Sequence, residues 1–264
     1  MAEAVVAQEV LRYRGTTETV EDKLVVEEPI EIRLSDVPLA VVMRTPGDDA
    51  DLVLGFAITE GIVPGPEAVS GVRSLGEGRW SLDLAEGFSV DPDQFKRNFY
   101  ATSSCGVCGK ASIDAIRVAG SRPPPGPVVG AETILTLPPL LLERQAAFHL
   151  TGGLHAVGAF DSSGNLVAVR EDVGRHNAVD KVIGFLAKQG WPLPPLGLLV
   201  SGRVSFEIVQ KAAVAGISLV CGVSAASSLA VELGEEFGMT VIGFLRDDGF
   251  TVYSGAERVE GVGA

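Results

Sequence analysis

Cysteine, histidine and tryptophan are scarce in this chain: three, three and two among 264 residues. Three cysteines, two of them spaced as Cys105-x-x-Cys108, cannot build the disulfide framework of a small secreted domain, and a reducing, cytoplasmic setting is expected. The first residues lack a basic stretch followed by an apolar one, so no secretory leader is expected. No apolar run approaches the ~18 residues of a membrane-spanning helix. Basic residues are also few, 21 Lys and Arg against 34 Asp and Glu, a net charge of −13. Binding along a phosphate backbone needs a dominant basic footprint, so nucleic acid is excluded as a partner class. Internal repeats and coiled-coil heptads are absent as well.

What is present suits a globular α/β protein. The chain is 46% hydrophobic and 21% charged, and its length allows one large domain or two small ones. Short β-type runs at residues 23–26, 30–34 and 39–45 precede Pro46-Gly47-Asp48-Asp49, where Asp48 is placed to cap a helix. Leu52, Phe56 and Ile62 recur at helical spacing, with Gly61 as a stop. A hairpin is expected about Gly76-Glu77-Gly78, between residues 72–75 and 80–84. Residues 91–109 read as an exposed polar loop, and the Pro-rich residues 122–127 as a linker. The expected division is therefore 1–133, a smaller β-rich N-terminal domain, and 134–264, a layered α/β domain with a parallel or mixed sheet.

In the second part a helix is expected over 138–148, then a hairpin of 155–160 and 166–171. Helices over 177–189, 205–215 and 227–237 alternate with strands at 196–200, 218–221 and 240–245. Asn177 is the expected cap of the first of these helices. Cys221, in an apolar strand, is expected to be core.

Candidate chemistry centres on Cys105-Gly106-Val107-Cys108, just ahead of a helical pattern and beside Lys110. A helix start and a nearby cation lower a thiol pKa, which would make a reactive thiolate. Half a zinc site and an inert pair are the alternatives. Only His149, His155 and Cys221 remain as soft ligands, without a second CxxC, so a closed zinc site is poorly supported. A zinc deaminase needs His-x-Glu upstream of Cys-x-x-Cys; His155-Ala156-Val157 lies downstream and lacks the glutamate. A thioredoxin-like site would follow an early apolar strand, which is missing here.

Three strand ends offer a second kind of site. Asp172, Arg175, His176 and Asn177 crowd the turn after residue 171, a place where α/β proteins bind ligands. Ser201-Gly202-Arg203 leads from an apolar strand to Ser205, suiting a phosphate held by N–H groups and an arginine. A turn with ordinary helix caps is the alternative for both segments, although in the first it accounts for Gly174 and Asn177 and not for Arg175 and His176. Residues 221–228 form a third small, hydroxyl-rich end, and Phe244-Leu245-Arg246-Asp247-Asp248-Gly249 brings another arginine.

The ordered set of segments resembles the FdhD family of formate dehydrogenase accessory sulfurtransferases. The resemblance rests on Val42-Met43-Arg44-Thr45-Pro46-Gly47-Asp48-Asp49, Thr59-Glu60-Gly61, Ser104-Cys105-Gly106-Val107-Cys108-Gly109 and Thr151-Gly152-Gly153-Leu154-His155. It continues in Glu171-Asp172-Val173-Gly174-Arg175-His176-Asn177 and Ser201-Gly202-Arg203-Val204-Ser205-Phe206-Glu207, and it spans about residues 20–253. It implies a cytidine-deaminase-like three-layer α/β second domain without the zinc chemistry, and a homodimer. It also implies a sulfur carrier, loaded by a cysteine desulfurase, that serves the molybdenum bis(molybdopterin guanine dinucleotide) cofactor of formate dehydrogenase, with no tightly bound metal of its own. Carried over by position, Cys105 bears the persulfide and Cys108 assists. The residues Phe244, Leu245, Arg246, Asp247, Asp248 and Gly249 match the family's cofactor stretch, although Asp247 and Asp248 put two acids where an anion would dock. Ser201, Gly202, Arg203, Asp172 and His176 are further expected cofactor contacts. A cofactor-binding chaperone or adaptor without covalent sulfur transfer is the second reading.

The charge is unevenly spread. Residues 1–133 hold 12 basic and 21 acidic residues (−9), and residues 134–264 hold 9 and 13 (−4). The half expected to hold an anionic cofactor is the less acidic.

Overall fold

The computed structural model describes residues 4–91, 122–246 and 248–262. Strands β1 (Val5–Tyr13) and β2 (Thr17–Val25) pair antiparallel as a separate ribbon. Only its last residues were legible in the sequence. Most of its positions are exposed on both faces, so there is no inward-outward alternation to read.

A four-stranded sheet follows, ordered β4-β3-β6-β5 from β3 (Glu28–Leu34), β4 (Val37–Arg44), β5 (Val69–Gly76) and β6 (Arg79–Leu84). Ile30, Ile32 and Leu34 alternate inward, as the two-residue period of a strand requires. Helix α1 (Asp49–Thr59) covers them with Leu52, Val53 and Phe56. Asp48 does not cap it by its side chain. Its φ of 56° is left-handed, its carbonyl accepts from the N–H of Asp51 and Leu52, and its carboxylate lies 3.3 Å from Arg170 Nε.

The Pro-rich residues 122–127 have neither helix nor strand, as expected, but they are not a free tether. Pro123 and Pro127 are buried, and Gly126 lies so near Ser218 that a Cβ there would fall 2.2 Å from its hydroxyl. After β7 (Val129–Gly130), the expected helix over 138–148 is in fact two, α2 (Ala131–Glu143) and α3 (Ala146–Thr151). Pro138 and Pro139 stand inside α2 rather than at its start. Burial of Ile134, Leu137 and Leu141 against the sheet holds the turns that a proline would otherwise weaken.

The larger sheet comprises β8 (His155–Phe160), β9 (Leu166–Asp172), β10 (Gly197–Val200), β11 (Leu219–Gly222), β12 (Thr240–Arg246) and β13 (Gly249–Ser254). Its order is β13-β12-β11-β10-β8-β9, parallel across β10, β11 and β12 and antiparallel elsewhere. Strand β14 (Val259–Glu260) pairs with β7. Helices α4 (Arg175–Ala187), α5 (Phe206–Val214) and α6 (Ser228–Phe237) fill in between the strands. The central strands are buried on both faces. Leu198 and Val200 join the core with Val182, Val209 and Leu233, while Leu199, Cys221 and Ile242 join the core with α2.

The two sheets are tied together by α1 against α4, where Gly55 and Gly184 bring the backbones together. Asn177 is not the cap of α4. Gly174 holds that position, and Asn177 Nδ2 donates instead to Met43 O (2.7 Å) and Asp172 Oδ1 (2.8 Å).

Candidate functional site

The carboxyl ends of the parallel strands form one continuous edge. Beyond β10 and β11, Ser224 N–H donates to Gly202 O, and Val204 N–H to Ala225 O. Phe244 N–H donates to Ser224 O at 2.9 Å. Glycine permits these approaches, since a Cβ on Gly202 would sit 3.3 Å from His155 Nδ1 and one on Gly222 2.5 Å from Val204. Ser201 is pinned to β8 twice: its N–H donates to Ala156 O, and its Oγ accepts from Ala156 N–H. The segments singled out at residues 201–205, 221–228 and 244–246 therefore meet, as ligand sites of α/β sheets do.

The polar turn after β9 splits into two roles. Asp172 has no exposed surface, and it is saturated by Lys181 Nζ at 2.8 Å and by Asn177, Thr45 N–H and Gly174 N–H. The expectation that it contacts a cofactor is therefore corrected: a buried carboxylate with four partners organises the turn and cannot reach a ligand. His176 faces the edge instead, with Nε2 3.2 Å from Ser205 Oγ and 3.5 Å from Glu207 Oε2. Ser205 makes no side-chain cap bond to α5. Burial raises the Glu207 carboxyl pKa, but the His176 hydrogen bond and the backbone bonds outweigh it and leave it below the ordinary value.

His155 is the sharper finding. Burial lowers its pKa first, and the nearby Arg175, His176 and Arg203 charges lower it further against Asp172. It is a neutral imidazole at pH 7, able to donate at one nitrogen and accept at the other. It lines a cavity of about 630 Å³ together with Ser201, Val223 and residues of α2 and α3. The remaining walls are mainly apolar, including Pro138, Leu142, Phe148 and Leu154. Gln145, between the two helices, also lines it while only 4% exposed. Glu171 holds α3 in place by accepting from the N–H groups of Ala147 and Phe148. In the sequence, His155 stands out only as a potential metal ligand, and Gln145 does not stand out at all. The one available signal is an amide between the apolar runs 137–142 and 146–148, which a helix read through Gln145 conceals.

The Phe244–Gly249 stretch is divided by the pleat. Phe244 holds a left-handed φ of 53° and exposes its ring, and Arg246 and Asp248 are exposed. Leu245 is fully buried in the core shared with α2, so its expected cofactor contact is corrected to a packing role. Gly249 pairs with Arg246 across the turn. Arg203 is exposed and Gly202 buried. Asp247, Cys105 and Cys108 lie outside the described residues, as do residues 92–109 of the expected loop. Cys221 is buried in core, and burial pushes its thiol pKa well up. Among the described residues, no group of three His, Cys, Asp or Glu side chains is placed to hold a metal, and no helix is long and apolar enough to cross a membrane.

A sequence profile of the FdhD/NarQ family matches residues 25–260. The chain belongs to the FdhD/NarQ family. Every strand end described above lies within the matched span. A relative named sulfur carrier protein FdhD from Mycolicibacterium paratuberculosis is 48% identical, over 90% of this chain and 92% of its own. Those of Streptomyces coelicolor (46%; 96% and 94% covered) and Sulfolobus acidocaldarius (41%; 94% and 94% covered) carry the same name. A crystal structure from Desulfotalea psychrophila, provisionally described as a formate dehydrogenase accessory protein, superposes with a TM-score of 0.79 at 22% identity. The match covers 97% of this chain and 99% of that one, and shows that the two share a fold.

Proposed function

We propose that this chain is a sulfur carrier serving formate dehydrogenase, with Cys105 as the carrying residue. The observation that supports this most is the name and extent of its relatives: sulfur carriers 41–48% identical over 90% or more of the chain. In this reading the Cys105 thiolate attacks the terminal sulfur of a persulfide on a cysteine desulfurase. One S–S bond forms on Cys105, and the donor's S–S bond breaks as its cysteine leaves as a thiolate. The terminal sulfur would then pass to the molybdenum of the bis(molybdopterin guanine dinucleotide) cofactor, which is substrate here: the S–S bond on Cys105 breaks, Cys105 leaves as a thiolate, and a reduced molybdenum centre supplies the two electrons that take the sulfane sulfur to sulfide. Cys108 assists that transfer. Ser201-Gly202-Arg203, His176 and the exposed Phe244, Arg246 and Asp248 form the edge on which the cofactor's charged part would lie, with the guanidinium groups meeting phosphate. The division at residue 133, a cytidine-deaminase-like second domain, a cytoplasmic setting and a homodimer belong to the same proposal.

Intact-mass measurement after incubation with a cysteine desulfurase and cysteine tests it. The expected result is a gain of about one sulfur atom per chain, removed by reductant and absent in Cys105→Ala. The second reading, a cofactor-binding adaptor, is favoured by an edge and cavity that the described residues form among themselves. It prevails if Cys105→Ala still supports a fully sulfurated, active formate dehydrogenase.

A further inference from the structure

Helices α4 and α5 meet along two rungs that lie one helical turn apart. His176 of α4 faces Glu207 of α5, with Nε2 3.5 Å from Oε2, and one turn on Asp180 of α4 faces Lys211 of α5 at 3.0 Å. The lower rung is buried and tied to α1 through Thr59 and Glu60, so it fixes the spacing of the two helices. The upper rung stands at the strand-end edge, its side chains 13% and 14% exposed.

Ser205 sets the upper rung apart from an ordinary helix start. It holds the N-cap position of α5, where a serine usually spends its oxygen on a backbone N–H of the first turn, and it makes no such bond. Its Oγ lies 3.2 Å from His176 Nε2 instead, and its hydroxyl donates to Glu207. The Glu207 carboxyl is held below its ordinary pKa, so it is ionised at neutral pH and can only accept. The direction of each bond follows. With its one hydrogen given to Glu207, Ser205 Oγ accepts from His176, and Nε2 of that ring carries a hydrogen. In a neutral imidazole the lone pair is then on Nδ1.

We propose that Glu207 is a positioning residue which, with Ser205, fixes His176 as the Nε2–H tautomer and so makes Nδ1 the nitrogen offered to a ligand. The inference rests on the proposed function only in taking His176 as a contact of the substrate; the tautomer itself does not depend on that reading. It also gives the contact a polarity. A neutral ring with its lone pair at Nδ1 accepts from an N–H or O–H of the ligand. It has no hydrogen there for a phosphate, which is left to the guanidinium groups.

Proton–nitrogen correlation spectra of the histidine rings, recorded on the full chain at about pH 8 where an ordinary imidazole is neutral, test this. Only three histidines are present, and His176→Gln identifies the signals of that ring. A single Nε2–H tautomer for His176 in the unsubstituted chain is the expected result, with a mixture or the Nδ1–H form in Glu207→Gln, whose amide can donate. An Nδ1–H ring in the unsubstituted chain overturns the assignment without recourse to any variant, and so does an unchanged tautomer in a folded Glu207→Gln protein. The carrier concentration giving half-maximal activation of formate dehydrogenase should rise about tenfold in Glu207→Gln, roughly the worth of one hydrogen bond. A changed tautomer with no such rise refutes the positioning role. Persulfide loading of the unsubstituted chain is followed separately by mass. Absent loading refutes sulfur carriage and leaves the tautomer standing; the wrong tautomer with normal loading does the reverse.

Discussion

Gly55 and Gly184 face each other where α1 crosses α4. A Cβ on Gly55 would lie 1.8 Å from Asp180 O, and one on Gly184 would lie 1.9 Å from Asp51 O. Backbone thus meets backbone, and the contact sets where α4 sits. Because α4 begins with Arg175 and His176, the crossing also positions one side of the candidate site. Salt bridges frame it, with Asp51 to Arg170 (3.0 Å) and to Lys188 (2.6 Å).

Gly55→Ala and Gly184→Ala should each destabilise the chain by about 3 kcal/mol or more, since one methyl cannot be accommodated without separating the helices. Urea unfolding should show the loss as a lower midpoint.

Beside that crossing, Lys211 Nζ lies 3.0 Å from both oxygens of Asp180, 2.8 Å from Glu60 and 2.9 Å from Thr59 Oγ1. Burial works against the Lys211 charge, but the two carboxylates outweigh it and keep the group protonated. Lys211→Met should cost about 3–5 kcal/mol, because it strands a buried Asp180. Lys211→Met combined with Asp180→Leu should recover much of that loss, which thermal unfolding of both variants against the unsubstituted chain would reveal.

Acid should weaken the fold in two separate windows. The His155 pKa is depressed, so as pH falls below its ordinary 6.5 the unfolded chain takes up a proton that the folded chain refuses. Stability is lost there, and this loss stops below the folded pKa. Glu207 is also depressed, and its contribution is present above its ordinary 4.5 and lost as pH falls through the folded value. His155→Gln should flatten the stability profile just below pH 6.5 and leave the lower window intact; an unchanged upper window would refute the assignment.

Cys221 should take no part in sulfur carriage. Iodoacetamide should leave it unmodified in the native chain, because a thiolate is disfavoured in that core. Cys221→Ser should destabilise by about 1–3 kcal/mol through an unpaired buried hydroxyl, with persulfide loading unchanged. Loss of loading in a folded Cys221→Ser protein would contradict this division.

The hairpins and the central strands were legible because burial imposes a period on them. Ile30-Glu31-Ile32 alternates, and residues 197–200 form an apolar run buried on both faces. The ribbon β1–β2 was largely invisible for the converse reason, and α2 was cut short because Pro138 reads as a start when its packing is unseen. Asp172 and His176 stand close together in sequence with similar chemical potential, and nothing in their order separates a buried organiser from a residue facing the edge.

The sequence by itself determined the alternation of helix and strand, the core role of Cys221, the glycine-lined strand ends and the pairing of Cys105 with Cys108 in a short motif. Those follow from local propensity, periodicity and spacing, which neighbouring residues carry among themselves. Only the tertiary structure decided that Leu245 is core, that Asp172 is spent on Lys181, and that Gln145 shares a cavity with His155 and Ser201. Such assignments depend on which groups water can still reach after distant segments have packed, and solvent access is a property of the folded surface rather than of any stretch of chain.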